Sequence, residues 1–201
     1  WKLDMKKVNF TSRNSSEWDL IKASYFKYST TPKPLYIAQD SNSKVQPISM
    51  IPTIAYGPFG SYIIGFGTGK YLEASDNSIN SSTQIQSFYV LYDLPDDTIE
   101  RNWSSKFFNG KEHLRSATTS VNTISSEKFT WVSTKDTNDK NKSGWYINFP
   151  NGGSSGGEQQ VTNAVLFGKD IIFNSILPPT ASGSACGGGS SRTYSANLAS
   201  G

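Results

Sequence analysis

The chain has 201 residues, of which 35% are hydrophobic and 13% aromatic, and its formal net charge is +3. Lysines and acidic residues are interleaved, so the sequence lacks the basic stripe that a nucleic-acid groove requires. No apolar run approaches the roughly 20 residues that span a bilayer. We therefore predict neither nucleic-acid binding nor a membrane span. Short runs of aromatic and β-branched residues between Ser, Thr, Asn and Gly loops favour an all-β fold.

The first predicted strands lie in the N-terminal half. Residues 1–10 alternate weakly and predict a strand, and residues 35–38 form the next one after a break at two prolines. The runs 62–67 and 86–93 are continuously apolar and bounded by turn residues. This pattern is typical of strands that are buried on both faces.

The C-terminal half predicts further strands after a polar, irregular stretch over residues 95–126 that indicates no element. They cover residues 129–132, 145–149, 160–166, 170–176 and 193–198, with residues 136–142 as a hydrophilic hairpin tip between the first two.

A faint repeat organises these strands. In one unit a strand around Ile54 precedes the buried strand 62–67, a loop and the aromatic strand 88–93; in another, residues 161–167, 170–173 and 194–198 follow the same order. Radially repeated antiparallel sheets of four strands are β-propeller blades. We expect one domain over residues 1–201, holding about two to three blades of an incomplete propeller. Because the chain starts inside a predicted strand, we expect it to be a fragment of a longer protein.

The most specific motif is the block FGTGKYLE at residues 66–73, followed by TQIQSFY at residues 83–89. With residues 1–4, GWYINFP at 144–150, and Pro178 before Cys186, it resembles the C-terminal propeller domain of PilC/PilY-type adhesins of type IV pili. The resemblance spans nearly the whole chain. It implies a modified, quinoprotein-like propeller without enzymatic activity.

The resemblance also implies a biological role. Such proteins are secreted or cell-surface components of Gram-negative bacteria, associated with the outer membrane and the pilus tip. Minor pilins and host-cell or abiotic surface receptors are the implied partners, and pilus assembly, resistance to retraction, twitching motility and attachment are the implied activities. Calcium is implied only upstream of Trp1, so we assign no cofactor and no metal ligand to this chain.

Two motifs superficially suggest ligand chemistry. Asp136, Asn138, Asp139 and Asn141 are rich in oxygen, but the loop lacks the central Gly and distal Glu of an EF-type calcium site and carries two lysines. We interpret it as a solvated hairpin tip. The segment 66–70 has glycines before a lysine, but Tyr follows where a Walker motif needs Ser or Thr. We interpret it as a strand end.

No catalytic residue is predicted. His113 is the single histidine and lies in no nucleophile context, and Cys186 is the single cysteine, expected to be free or externally paired. We interpret as turn residues the acidic residues that are available to pair for glycoside hydrolysis. They are Glu73, Asp76, Asp93, Asp96 and Asp97.

Trp103 is the candidate partner-binding residue, because it lies in a polar loop where an exposed ring can anchor a partner. Two alternatives to a pilus adhesin stay open. One is a quinoprotein-like propeller enzyme, and the other is a secreted lectin-like receptor-binding module unrelated to pili.

Overall fold

A computed structural model describes residues 31–57, 60–77, 84–93, 114–120, 144–150, 157–179 and 189–201. It also describes Leu3, Thr11, Lys111 and the short strands that fall outside these ranges. The chain divides into two compact units. The first comprises Trp1–Ile37 and Asn102–Gly110, and the second comprises Ala38–Arg101 and Lys111–Gly201.

Strands dominate the described residues, and the helical structure among them is a 3₁₀ turn over Ala74–Asn77. In chain order the strands are β1 Phe26–Tyr28, β2 Thr31–Lys33, β3 Tyr36–Ile37, β4 Thr53–Tyr56, β5 Tyr62–Gly67, β6 Ser87–Asp93, β7 Phe108–Asn109, β8 Arg115–Ser116, β9 Thr118–Ser120, β10 Thr123–Ser125, β11 Thr130–Trp131, β12 Asn141–Lys142, β13 Gly144–Asn148, β14 Val165–Phe167, β15 Asp170–Leu177 and β16 Ser190–Asn197.

In its described residues, the first unit contains two short strand pairs. β1 and β2 pair antiparallel, and β3 pairs parallel with β7.

The largest sheet of the second unit has the order β4-β5-β6-β13-β8. Its first four strands are antiparallel, as in a propeller blade, and β8 adds a short parallel strand at one edge. β6 is buried along its whole length. Neither face of the strand is left to solvent, which explains the continuous apolar and aromatic run over residues 88–92, between Ser87 and Asp93.

A second sheet follows with the order β14-β15-β16, antiparallel throughout. β15 alternates buried and accessible positions, so one face meets the core and the other does not. The described part of the second unit also contains the short pairs β9–β10 and β11–β12.

The core lies between the five-stranded and three-stranded sheets. Phe88 of β6 stacks on Phe173 of β15 with ring centroids 3.8 Å apart, and Phe173 stacks on Tyr194 of β16 at 5.0 Å. Trp145 is fully buried, and its Nε1 donates a hydrogen bond to the Leu198 carbonyl at 3.0 Å. Each fully buried aromatic ring contributes about 1.5–3 kcal/mol of hydrophobic stabilisation.

The structure confirms the all-β fold class and the two repeat units. The unit around Ile54 becomes β4, β5 and β6, and the C-terminal unit becomes β14, β15 and β16 in the predicted order. The predicted strand 1–10 lies outside the described residues, apart from Leu3.

The predicted hairpin between residues 129–132 and 145–149 is wrong. β13 pairs antiparallel with β6 and not with β11. β11 instead pairs parallel with β12, which lies within the predicted tip. The strand predicted at 160–166 begins only at Val165, and the segment before it makes a single bridge, Gln159 to Ile176. Residues 95–126, to which the sequence pattern assigns no element, contribute β7 to β10.

Candidate functional site

Two polar clusters interrupt the apolar surfaces of the second unit. The first, which we term the Lys111 cluster, comprises Lys111, Ser87, Tyr89, Tyr146 and Asn148. In the pairing of β6 with β13, Ser87 lies opposite Asn148 and Tyr89 opposite Tyr146. Because residues two apart share a sheet face, these four side chains lie on the face opposite to the core.

The Lys111 amine joins both strands. Its Nζ donates to the Ser87 hydroxyl at 2.8 Å and to the Asn148 Oδ1 at 2.5 Å. The same nitrogen lies 5.0 Å from the centre of the Tyr146 ring and 5.6 Å from that of Tyr89. These are distances at which a cation and an aromatic face attract each other.

Burial controls the protonation of Lys111. Desolvation lowers the pKa of the amine to about 8, and the distant carboxylate of Asp40 only partly opposes this shift. Desolvation penalises the charged form of an amine, whereas an acidic neighbour favours it. The amine is therefore mostly ammonium at neutral pH, with a minor fraction of free amine.

Ser87 is held in place by further buried groups. Gln46 donates from Nε2 to the Ile85 carbonyl at 2.7 Å and to the Ser87 hydroxyl at 3.1 Å. The Tyr89 hydroxyl bonds to Gln46 Oε1 and to the Gln39 carbonyl. With Gln46 and Lys111 donating to it, the Ser87 hydroxyl donates its own proton to Asn148 Oδ1 at 2.9 Å.

A turn beside the Lys111 cluster fixes the Asp40 carboxylate. Its Oδ1 accepts from the backbone N–H groups of Asn42 and Lys44 at 2.8 and 2.9 Å, and its Oδ2 accepts from Gln84 at 3.0 Å. Burial alone would raise the pKa of Asp40, but these hydrogen bonds outweigh it and hold the pKa below its usual value.

The second polar cluster, which we term the Glu158 cluster, comprises Glu158, Ser175, Arg192 and Tyr194. The Glu158 side chain is fully buried. Its Oε1 accepts from the hydroxyls of Ser175 and Tyr194, each at 2.5 Å, and its Oε2 lies 3.3 Å from the half-exposed Arg192 guanidinium. Burial and the hydrogen bond to this carboxylate raise the pKa of Tyr194 above its ordinary value.

The segment that carries Glu158 rests on the end of β5. A Cβ on Gly67 would lie 1.8 Å from Gln160 Oε1, and one on Gly69 would lie 2.7 Å from the Gln160 carbonyl oxygen. Gly69 also has a φ of 150°, which L residues rarely adopt. The glycines of the FGTGK motif therefore admit a neighbouring chain segment, in agreement with their interpretation as a strand end.

Among the acidic candidates, Asp76 has a local structural role. Its Oδ2 accepts from the backbone N–H groups of Leu72 and Glu73 at 2.9 and 3.0 Å. Lys70 lies 3.3 Å from both Glu73 and Asp76. Asp93 is buried at the end of β6. These contacts match the interpretation of Glu73 and Asp76 as turn residues.

The other candidates from the sequence fall outside the described residues, so their interpretations stay predictions. They are Trp103, His113, Cys186, Asp96, Asp97, Asp136, Asn138 and Asp139, whereas Asn141 is described only through its backbone in β12. In the described part of the chain, no three His, Cys, Asp or Glu side chains meet as metal ligands would. No helix there is long and apolar enough to cross a membrane.

Sequence reasoning missed both polar clusters. Ser87 and Asn148 stand in otherwise aromatic strands, and a polar residue in such a strand is a signal for a buried hydrogen-bond network. Lys111 and Glu158 gave no comparable signal, because they come from polar or Gly-rich segments whose positions depend on long-range contacts.

The fold and these clusters define an all-β protein made of blade-like sheets stacked face to face. Residues 1–111 match the family model described as the PilY1 beta-propeller domain. The match covers more than half of the chain, and the chain therefore belongs to the PilY1 β-propeller family.

Curated relatives carry the same family name. The chain is 26% identical to a type IV pilus biogenesis factor PilY1 homolog of Xylella fastidiosa over 97% of its own length and 12% of the relative's. It is 28% identical to type IV pilus biogenesis factor PilY1 of Pseudomonas aeruginosa PAO1 over 81% of its own length and 15% of the relative's. The chain thus spans a small part of these relatives.

A solved structure shares the fold. The crystal structure of the Pseudomonas aeruginosa PilY1 C-terminal domain superposes with a TM-score of 0.57 at 24% identity. The superposition covers 83% of this chain and 34% of that domain. This similarity supports the interpretation of the two sheets as part of an incomplete propeller.

Proposed function

We propose that this chain is the propeller portion of a pilus-associated surface protein that supports type IV pilus biogenesis by binding rather than by catalysis. The observation that carries the proposal is the family match over residues 1–111 together with relatives named as type IV pilus biogenesis factors. The stacked sheets supply a rigid scaffold, and loops on such scaffolds commonly carry binding residues.

The finer proposal is that the parent protein acts at the pilus tip of a Gram-negative bacterium, outside the cell and associated with the outer membrane. There it contacts minor pilins, promotes assembly, counters retraction and permits twitching motility and attachment to host or abiotic surfaces. Trp103 is the proposed anchor for a partner. Any calcium is proposed to bind upstream of Trp1, and this chain is proposed to hold no cofactor.

Genetic removal of the parent protein distinguishes a role in pilus assembly from a role in countering pilus retraction. We expect few or no surface pili in the deletion strain, counted by electron microscopy, and their return when the retraction motor is also deleted. Pili that stay absent without the motor would assign the protein to assembly alone. Normal piliation in the single deletion would contradict the proposal.

Binding and catalysis are separated by a second experiment. We expect the parent protein to co-purify with sheared pili, and Trp103→Ala to weaken surface attachment without loss of the protein. Trp145→Ala is the control for a disrupted core. An absorbance spectrum of the purified protein that shows a bound quinone would favour the dehydrogenase alternative. Surface attachment without any association with pilins would favour the lectin-like alternative.

A further inference from the structure

The geometry of the Lys111 cluster points to a covalent cross-link, and we propose that Lys111 and Asn148 form an intramolecular isopeptide bond. This modification site goes beyond the proposed pilus function and does not depend on it. The two side chains come from positions 37 apart in the sequence and meet beside the β6–β13 pair.

The distance between the reacting groups fits such a reaction. Lys111 Nζ lies 2.5 Å from Asn148 Oδ1. A carbonyl bond is about 1.23 Å long, so Nζ lies within about 3.7 Å of the Asn148 Cγ carbon. Reacting atoms in near-attack arrangements are about 3–3.5 Å apart. The upper limit of the distance between Nζ and Cγ therefore lies close to that range.

A neighbouring hydroxyl polarises the group under attack. Ser87 donates to Asn148 Oδ1 at 2.9 Å, which is the oxygen that gains negative charge as the amine adds. Ser87 is fully buried and is itself fixed by the Gln46 amide at 3.1 Å. A donor held in advance at the developing oxyanion stabilises the transition state of acyl transfer.

The nucleophile is available in the required form. An amine attacks only as the neutral base, and burial lowers the pKa of Lys111 to about 8. A usable fraction is therefore uncharged near neutral pH. The Tyr89 and Tyr146 rings flank the amine.

The step balances without any added reagent. The Lys111 nitrogen forms a bond to the Asn148 Cγ carbon, and the bond between Cγ and Nδ2 breaks. A proton lost from the lysine nitrogen passes to Nδ2, which leaves as ammonia. Nothing is oxidised or reduced, and the product is a secondary amide that joins the segment before β8 to the end of β13.

Peptide mapping tests the proposal on the full-length protein purified from its native host. Tryptic digestion should yield a branched peptide that contains Lys111, uncleaved, joined to the peptide that contains Asn148, with the combined mass lower by one ammonia. Asn-Gly sequences such as Asn109-Gly110 also lose ammonia as succinimides, so intact mass alone does not decide. Peptides cleaved after Lys111, with no branched product, would overturn the proposal.

Variants assign the roles. Lys111→Arg and Asn148→Ala should each abolish the branched peptide. Ser87→Ala should lower the linked fraction while leaving both reacting groups in place, because it removes the donor to the oxyanion. A branched peptide that persists in the Lys111→Arg or Asn148→Ala protein would exclude this pair as its source, and an unchanged linked fraction in Ser87→Ala would remove Ser87 from the reaction.

Discussion

The two polar clusters bury ionisable groups in opposite ways. Glu158 keeps three donors, two hydroxyls and a guanidinium, around one fully buried carboxylate. Lys111 is partly buried and has neutral acceptors and two aromatic rings around its amine, with its carboxylate neighbour Asp40 acting only at a distance. The first arrangement satisfies the carboxylate oxygens with hydrogen-bond donors. The second leaves the protonation of the amine sensitive to pH and to reaction.

The same pair of sheets therefore holds the Glu158 carboxylate in a network of donors and places the Lys111 amine where we propose that it reacts. The Glu158 cluster ties the segment before β14 to β15 and β16. The Lys111 cluster lies on the face of the five-stranded sheet opposite to the core, where desolvation penalises the charged form of the amine.

The largest expected loss of stability follows removal of the Glu158 carboxylate. Glu158→Ala leaves the Ser175 and Tyr194 hydroxyls buried without their acceptor and creates a cavity. We expect the free energy of unfolding to fall by about 3 kcal/mol or more. Arg192→Ala removes the guanidinium beside Oε2 but leaves both hydroxyl donors to Oε1, so we expect a smaller loss, of about 1–3 kcal/mol. Urea unfolding of the full chain measures both, and equal losses would contradict the assigned difference.

The next effect concerns the glycines beneath the Glu158 segment. Gly69→Ala places a Cβ against the Gln160 backbone in a φ region that disfavours side chains. We expect a loss of about 2–3 kcal/mol. Gly168→Ala is the matched control, because its φ is also positive but nothing lies within 4 Å of the added Cβ. Backbone strain alone should cost about 1–2 kcal/mol there. A Gly69 variant no worse than the control would mean that the close approach is absent.

The smallest effect is a pH dependence at Lys111. In an Asn148→Ala background no amide can form, and burial still lowers the pKa of the amine. Between that lowered pKa and the ordinary value near 10.4, the unfolded chain binds more protons than the folded one. Stability should therefore rise with pH across this interval, relative to the same chain carrying Lys111→Met. Urea midpoints at pH 7 and pH 9.5 measure the difference, and a flat difference would contradict the assigned burial.

Much of the fold could be predicted because its main strands carry local signals. The aromatic run of β6 and the alternation of β15 need no tertiary information to be recognised. The partner of β13 could not be predicted, since nothing in residues 145–149 distinguishes β6 from the nearer β11. Trp145 pairs with Val90, 55 residues earlier in the chain, and core packing sets this pairing: the rings of Trp145 and Phe88 lie 6.1 Å apart.

The candidate site was predictable only in outline. The segment 66–70 indicates a strand end, and its glycines admit the Glu158 segment. The segment that packs against those glycines, and the segment that brings Lys111 to Ser87, have no periodic pattern of apolar residues. Their positions could therefore not be predicted from the sequence. Trp103, the residue chosen from the sequence, stays a prediction because it lies outside the described residues.

The most direct test of the central claim is surface piliation in a strain whose parent protein lacks residues 1–201 but is still produced and exported. If these stacked sheets support type IV pilus biogenesis, that strain should resemble the full deletion, with few or no pili by electron microscopy. Wild-type pilus numbers in the presence of the shortened protein would contradict the claim.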